Sequence, residues 1–383
     1  MIPYGRQHIS DADVDAVVAV LRSDFLTQGP TVPAFERALA TYSEAAYGVA
    51  VNSATSALHI ACMALELGPG DLLWTSPNTF LASANCARYC GADVDFVDTD
   101  PLTYNLSPAA LAAKLELAER AGRLPKVVVC VHFGGASCDM QAIGALARRY
   151  GFRVIEDASH AVGGTYRGRP VGCCEFSDIT VLSFHPVKIV TTAEGGLALT
   201  NDPALVQAMQ LCRSHGMTRD PLLMQGESHG PWYYQQVSLG YNYRLTDLQA
   251  ALGLSQLQRL DEYVARRQAI AARYDRLLEG LPLIVPYRDA GTLSSLHLYP
   301  VVLHDTGRRR AVFEALRESG IGVNVHYIPV HLQPYYRALN GSGPGDFPNA
   351  EAYYAGAISL PIYYTLTDAQ QDEVVAALRE ALA

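Results

Sequence analysis

The sequence predicts an α/β protein with a mostly parallel, mixed β-sheet covered by helices, followed by a smaller C-terminal α/β unit. Short apolar runs alternate with stretches of helical periodicity through the first half of the chain, which is typical of consecutive βαβ units. Such units predict a mostly parallel sheet that is covered by helices on both faces. The 383 residues suffice for two units. We expect residues 1–250 to form the large domain and residues 251–383 the small one, joined through a long helix.

Capping residues and apolar runs place the elements of the large domain in order. Ser10 is a plausible N-cap for a first helix that ends at Leu21, and the Ser107–Pro108 pair favours the start of another. Helical periodicity also covers residues 32–42, about 80–89 and 139–150. The predicted strands cover residues 48–52, 72–76, 94–98, 127–133, 153–157, 179–184 and 197–199.

The pattern changes in the C-terminal part of the chain. Thr246 or Asp247 can cap a helix that we expect to continue to about Leu278, long enough to connect two domains. Thr367, with Gln370 three residues later, predicts a capping box for the last helix, residues 368–382. The elements expected between these helices are a strand at 297–303, a helix at 308–319, a strand at 323–327 and a flexible loop at 340–348.

Composition narrows the classes of function. The formal net charge is −9 and there is no lysine-rich patch, so nucleic acid and anionic membranes are poor partners for this surface. The first residues lack the layout of a signal peptide, and no apolar run approaches the length of a membrane span. The eight cysteines form no Cys-x-x-Cys pair and lie mostly in apolar runs. This predicts buried thiols in a reducing, cytoplasmic setting and no metal site.

Lys188 lies in the tight connection between the last two predicted strands of the large domain, close to the Gly195–Gly196 pair. The only other lysines are Lys114 and Lys126, and all remaining basic residues are arginines, which cannot act as amine nucleophiles. A lysine between core strands is costly unless it is paired or neutralised, and a Schiff base with pyridoxal phosphate or a carbonyl substrate neutralises it. The alternative is that Lys188 lies at the end of a strand and extends its ammonium group to water, which fits the same spacing.

Two further features fit a site for a phosphorylated cofactor. Residues 53–59 are small and hydroxylated where a strand turns into a helix, so free amides and hydroxyls there could hold a phosphate. Asp157 ends an apolar strand, at the edge where α/β sheets bind ligands, and could pair with the pyridine nitrogen of a pyridoxal ring. Alternatively, residues 53–59 simply start an ordinary capped helix, and Asp157 caps a helix. Taken singly, His160 and Ser183 also fit either a structural or a functional role.

Together, and in this order, these features resemble fold-type I pyridoxal-phosphate enzymes. More narrowly, the chain resembles the DegT/DnrJ/EryC1/StrS family of sugar-nucleotide aminotransferases. The resemblance covers nearly the whole chain, including an asparagine at the head of the long helix. The segments that carry it are Asn52–Leu58, Glu156–Ala161, Ser183–Lys188 with Glu194–Gly196, and Gly240–Leu245.

The resemblance implies a role for each residue around the cofactor, pyridoxal 5′-phosphate, which would alternate with its pyridoxamine form. Lys188 would hold the cofactor as an internal aldimine and, once freed, would move the proton between the amino-bearing carbon and C4′. Asp157 would pair with the pyridinium nitrogen, Phe80 would stack on the ring, and His160 would lie near its 3-hydroxyl. In this family the phosphate is also reached from the partner subunit, which implies a homodimer with shared active sites. The phosphate contacts would be Ala54, Thr55, Ser56, Ser183 and, across the dimer, Asn242.

Closer still, the chain resembles the branch of this family that aminates C4 of UDP-linked 4-keto-6-deoxy-N-acetyl hexoses on the way to pseudaminic acid. Glutamate would first give its amino group to the cofactor, which would then aminate the keto sugar. His160 supports this branch, because many relatives have Gln there. The supporting segments are Leu26–Pro30, Ser214–Met217, Gln249–Leu257 and Asn324–Tyr327. The substrate-side candidates are Tyr4, Thr27, His326, Tyr327 and His331.

Other functions remain as alternatives at this point. A 3- or 4-aminotransferase for dTDP- or GDP-linked keto sugars fits the same motifs, because base and sugar recognition are spread over loops. A sugar 3-dehydratase of this family would have histidine in place of Lys188. A non-catalytic sensor built on this fold usually carries a DNA-binding module, and none is visible. A nicotinamide oxidoreductase would need a glycine fingerprint that the sequence lacks.

Overall fold

The computed structural model describes residues 1–383 and contains a central sheet of seven strands. Their order across the sheet is β1-β7-β6-β5-β4-β2-β3. The last five in this order run parallel, and β7 is antiparallel to both of its neighbours. The mostly parallel, mixed sheet predicted from the sequence is therefore confirmed. The strands are β1 (Tyr47–Val51), β2 (Leu72–Thr75), β3 (Asp93–Phe96), β4 (Val127–Val131), β5 (Arg153–Asp157), β6 (Ile179–Ser183) and β7 (Gly196–Thr200).

Helices connect these strands and continue through the C-terminal part. Ser10 caps α1 as predicted, in a capping box with Asp13, and Thr367 forms the predicted capping box with Gln370. None of the helices is both long and apolar enough to cross a membrane. The helices are α1 (Asp11–Leu21), α2 (Thr31–Tyr42), α3 (Ala54–Ala64), α4 (Ala82–Tyr89), α5 (Pro108–Arg120), α6 (Met140–Tyr150), α7 (Pro203–Arg213), α8 (Asp247–Leu257), α9 (Leu260–Leu277), α10 (Arg309–Glu318), α11 (Pro334–Asn340), α12 (Pro348–Gly356) and α13 (Asp368–Leu382).

The central sheet is covered by helices on both faces. Because side chains alternate along each strand, one strand contributes to the core on each face. In β4, Val127 and Val129 enter a core shared with α3, α4 and α7. Val128 and Cys130 enter a second core, on the other face, shared with α5 and α6. Every residue of β4 is buried, which explains why its sequence is apolar without alternation.

The strand register brings the predicted site residues to one edge of the sheet. Val51, at the end of β1, and Ser183, at the end of β6, both lie opposite Gly196, the first residue of β7. Asp157 ends β5 and pairs with Val181 of β6. The carboxyl ends of β1, β5 and β6 therefore meet at the start of β7, where open α/β sheets bind ligands.

A second, antiparallel sheet lies in the C-terminal part and consists of β8 (Leu283–Ile284), β9 (Tyr299–Leu303) and β10 (Ala357–Leu360). Helix α9 connects the two parts: Tyr263 packs in the core of the large sheet, whereas Tyr274 packs in the core beneath the second sheet. The domain boundary at residue 250 stays a prediction. Minor strand pairs join Thr165–Tyr166 to Arg169–Pro170 and to Thr292–Leu293, and Met217–Thr218 to Gln235–Gln236.

The expected single helix from Thr246 to Leu278 is in fact two helices, α8 and α9. The break is at Arg259, whose side chain turns back towards α1. Its guanidinium Nη2 lies 2.7 Å from both carboxylate oxygens of the buried Asp13, and its Nε donates to the Tyr263 hydroxyl. This ion pair joins residues far apart in sequence, so local periodicity cannot reveal it.

Two other expectations about the C-terminal part are wrong. Residues 323–327 form no strand; Asn324 makes only an isolated bridge to Ser359. The expected loop at 340–348 is confined to residues 341–347, with α11 before it and α12 after it. Helices α11 and α12 and strand β10 were not predicted, because each is short and two begin at a proline that also suits a turn.

Candidate active site

A cavity of about 430 Å³ opens at the shared edge of β1, β5, β6 and β7, and 23 residues line it. This volume suits a small organic ligand. The segment from Asn324 to Tyr327 closes the cavity from the C-terminal part. The predicted site residues that line it are Tyr4, Ala54, Thr55, Phe80, Asp157, His160, Ser183, Lys188, His326 and Tyr327.

Lys188 lies in the turn that connects β6 to β7. The turn is closed by hydrogen bonds from the Thr192 amide to the Phe184 carbonyl and from the Phe184 amide to the Gly195 carbonyl, both 3.0 Å. Burial lowers the pKa of Lys188 to about 8, although the nearby negative charge of Asp157 opposes the shift. A larger fraction of this amine is therefore neutral at neutral pH than for a solvated lysine, and the neutral amine is the nucleophile.

Asp157 presents its carboxylate to the cavity from the end of β5. Its Oδ2 accepts a hydrogen bond from the Ser83 hydroxyl at 2.6 Å, and its Oδ1 accepts one from the Ser159 amide at 3.1 Å. The carboxylate is almost completely buried. It makes no ion pair with an arginine, so its charge remains available to a cationic group in the cavity.

The start of α3 is suited to a phosphate. Ser53 caps this helix and accepts a hydrogen bond from the Ser56 amide at 3.1 Å, which leaves the amides of Ala54 and Thr55 for a ligand. A Cβ at Gly196 would lie 2.5 Å from the backbone of Ser53 and Ala54, so only glycine lets β7 approach the helix this closely. Thr55 and Ser183 add hydroxyl groups to the same wall.

These groups fit pyridoxal phosphate. An amine of lowered pKa is available for its aldehyde, a buried carboxylate for its ring nitrogen, and a capped helix start for its phosphate. All three line one cavity. Phe80 lies at the rim with an exposed ring, where a planar ligand could stack on it.

The hydrogen bonds of His160 fix its tautomer. Its Nδ1 accepts from the Gly134 amide at 3.3 Å, and its Nε2 lies 3.0 Å from the Tyr327 hydroxyl. Burial and the charge of Lys188 hold the pKa of His160 well below its usual value, so the ring is neutral and its proton is on Nε2. His160 then donates to Tyr327. The Tyr327 hydroxyl keeps its own proton, because burial raises its pKa, and can donate it to a ligand.

Two further histidines that line the cavity, His297 and His326, are buried. Burial and the charge of Lys188 lower the pKa of His326 to about 4, and its Nδ1 lies 2.8 Å from the Ser359 hydroxyl. The same causes hold the pKa of His297 well below its usual value. The imidazoles are therefore neutral at neutral pH and do not repel a protonated amine or the cationic form of a ligand.

Four predicted site residues lie outside the cavity. Ser56 is buried beneath the helix start and donates to Asn52 Oδ1 at 2.7 Å, and its contact with a phosphate stays a prediction. His331 is completely buried with its Nε2 3.0 Å from Glu351, which corrects the expectation of a substrate contact. Asn242 and Thr27 are exposed and do not reach the cavity of their own chain.

The structure also adds residues that the sequence did not single out. Ser159 lies between two named residues, and Thr79 directly precedes Phe80, so both had a signal in their neighbours. His297 and Ser83 had none, because they lie in segments with ordinary strand and helix patterns. Four other polar lining residues lie in segments that the sequence analysis named without assigning them a role: Ser53, His185, Glu194 and Asn324.

Known proteins resemble this chain in sequence and in fold. The spore coat polysaccharide biosynthesis protein SpsC of Bacillus subtilis is 40% identical over 99% of this chain and 96% of its own. The UDP-4-amino-4,6-dideoxy-N-acetyl-beta-L-altrosamine transaminase of Campylobacter jejuni strain 81-176 is 37% identical, covering 95% of this chain and 93% of its own.

The chain is also similar to solved structures. PseC of Helicobacter pylori, an aminotransferase involved in the biosynthesis of pseudaminic acid, matches with a TM-score of 0.91 and 30% identity, over 100% of this chain and 99% of its own. The sugar aminotransferase Spr1654 of Streptococcus pneumoniae in its PLP form matches with a TM-score of 0.89 and 29% identity over 100% of both chains. The model of the DegT/DnrJ/EryC1/StrS aminotransferase family matches residues 7–379. The chain belongs to this family and is a pyridoxal-phosphate-dependent sugar aminotransferase.

Proposed function

We propose that this enzyme transfers an amino group from glutamate to C4 of a UDP-linked 4-keto-6-deoxy-N-acetyl hexose, for pseudaminic acid or a related amino sugar of a cell-surface glycan. The observation that carries the proposal is the similarity, over nearly the whole chain, to a transaminase named for such a UDP-amino sugar. The fold shared with PseC supports it. Eight free cysteines, most of them buried, support a reducing, cytoplasmic location.

Lys188 is the proposed nucleophile and proton carrier. When bound, pyridoxal phosphate provides an electron sink for the carbon that carries the amino group. Lys188 Nζ, with a pKa of about 8, could take a proton from that carbon and deliver it to C4′ of the cofactor, on the other side of the amino nitrogen. Asp157 would hold the ring nitrogen in its cationic form, and the start of α3 would hold the phosphate.

The rim of the cavity would orient the sugar. Tyr327 can donate a hydrogen bond, since His160 already donates to its oxygen. Tyr4 and His326 line the same wall, with their ring centroids 5.5 Å apart. Burial raises the pKa of Tyr4, so its hydroxyl also stays protonated. Neutral donors of this kind suit the hydroxyl and carbonyl oxygens of a keto sugar.

A substrate panel tests the proposed specificity. With glutamate as donor, we expect turnover of a UDP-linked 4-keto-6-deoxy-N-acetyl hexose to exceed that of the matched dTDP- and GDP-linked 4-keto sugars by at least about tenfold in kcat/KM. Mass spectrometry and NMR of the product identify the aminated carbon. Turnover of the dTDP-linked substrate alone, or amination at C3, would contradict the proposal.

We also propose that the enzyme is a homodimer with shared active sites. The residues lining the cavity include no arginine, and Lys188 is their only lysine, so a sugar diphosphate finds little positive charge within one chain. Asn242 forms a backbone bridge to Ser214, just after α7, and Arg244 forms one to Val51, at the end of β1. Asn242 is exposed beside this arginine. Both side chains could contact a phosphate in the cavity of a second copy of the chain.

Mixed subunits test the shared site. Lys188→Ala and Asn242→Ala chains are each expected to be nearly inactive alone. Unfolding and refolding them together should restore up to about a quarter of the wild-type activity, because the statistical heterodimer makes up half of the mixture and has one intact site. Activity of the mixture that does not exceed the sum of the two variants would contradict the shared site.

A further inference from the structure

Ser83 lies beneath the cavity, on the first turn of α4, and does not line it. Its Oγ is 2.6 Å from Asp157 Oδ2 and 2.8 Å from Thr79 Oγ1. All three residues are buried: Ser83 is 0% exposed, Thr79 2% and Asp157 5%. They form a short chain of hydrogen bonds that runs from the cavity wall to the carboxylate.

The direction of these bonds follows from the number of protons. A carboxylate can only accept, so the single hydroxyl proton of Ser83 is donated to Asp157. The Ser83 oxygen can therefore only accept from Thr79, whose own proton is used in that bond. Ser83 is thus held by one neighbour while it donates to the other.

This pattern differs from that of an ordinary helix serine. Serine hydroxyls within helices commonly bond a backbone carbonyl three or four residues earlier. Ser83 instead bonds two side chains, one of them 74 positions away in β5. A bond of 2.6 Å to an ionised acceptor is among the stronger kinds of hydrogen bond in proteins.

We infer that Ser83, held by Thr79, is a positioning residue that fixes the orientation of the Asp157 carboxylate towards the cofactor. Ser83 donates to Oδ2 and the Ser159 amide to Oδ1, so the carboxylate cannot rotate about its Cβ–Cγ bond without losing a hydrogen bond. Each oxygen keeps lone pairs that can accept from a group in the cavity, which Asp157 lines. Because the carboxylate is already ordered, no binding free energy is lost in ordering it when the cofactor binds.

The test is cofactor binding by a Ser83→Ala variant. Pyridoxal phosphate is titrated into the full-length apoprotein, and its Kd and visible absorption band are measured. We expect the Kd to rise about tenfold, as for the loss of one hydrogen bond to a charged group, and the band to shift. An unchanged Kd and an unchanged band would overturn the inference.

Thr75→Val is the matched control for a purely structural effect. Thr75 is also completely buried, and its hydroxyl makes one hydrogen bond, to the Val129 carbonyl at 3.0 Å, without contact to Asp157. We expect both variants to lose thermal stability, but only Ser83→Ala to bind the cofactor more weakly. Equal weakening in the two variants would show that Ser83 acts through general stability, and would overturn the inference.

Thr79→Val provides a second route, including the case in which Ser83→Ala does not fold. Valine keeps the shape of threonine but leaves the Ser83 oxygen without its donor. We expect about a threefold rise in Kd, smaller than for Ser83→Ala, and little further change when the two are combined, because Thr79 acts through Ser83. Full additivity, or no effect of Thr79→Val in the folded protein, would contradict the proposed chain.

Discussion

Replacing Lys188 with alanine should lower turnover about 10⁴-fold, the largest effect we expect from any single substitution. The variant loses both the amine that binds the cofactor covalently and the base that moves the proton. Borohydride treatment, followed by peptide mass spectrometry, should attach the cofactor to Lys188 in the wild type and to no residue in the variant. Added methylamine should restore part of the proton transfer, because a small amine can enter the space that the side chain leaves.

Lys114→Ala serves as the matched control. Lys114 is paired with Asp95 at 2.6 Å and lies outside the cavity, so its loss should change turnover by no more than about twofold. Covalent attachment of the cofactor to Lys114 or Lys126 in the Lys188→Ala variant would contradict the assignment. So would a variant without Lys188 that keeps more than a tenth of the wild-type turnover.

The sequence alone predicted the parts of the site that depend on local patterns. Asp157 could be placed at a strand end because the apolar residues Val154 and Ile155 precede it in a short strand pattern, and the helix start after β1 was marked by hydroxyl residues. Lys188 was notable because the chain contains so few lysines. The assembly of these residues into one cavity follows from the parallel order of the strands, which the alternation of strands and helices indicated.

The rest depends on contacts between distant segments. Nothing in the pattern around Ser83 indicates that its hydroxyl reaches Asp157, and nothing around Arg259 indicates a partner in α1. His326 and His331 are five positions apart in one motif, yet one lines the cavity and the other is buried against Glu351. Both are buried, and only the tertiary packing decides that His326 lines the cavity and His331 does not.

Asp157→Asn should have the second-largest effect and should separate cofactor capture from turnover. Asparagine is neutral, so it cannot hold the ring nitrogen in its cationic form, and we expect kcat to fall about 10³-fold, as when a preorganised electrostatic group is removed. Asp157 is also the charge that raises the pKa of Lys188 against the effect of burial. Without it, the pKa of Lys188 should fall below about 8.

The two consequences have opposite signs at neutral pH. A lower pKa leaves more of the Lys188 amine neutral, so covalent capture of pyridoxal phosphate by the apoprotein should proceed at lower pH than in the wild type. Stopped-flow absorption across a pH series measures this, and kcat is measured on the same samples. Asp178→Asn is the control. Asp178 also accepts a hydrogen bond from a backbone amide, at 2.7 Å, but it directly precedes β6 and lies outside the cavity. A capture profile that stays at the wild-type pH while kcat falls would show that Asp157 does not act on Lys188, and a kcat within tenfold of the wild type would remove Asp157 from the catalytic site.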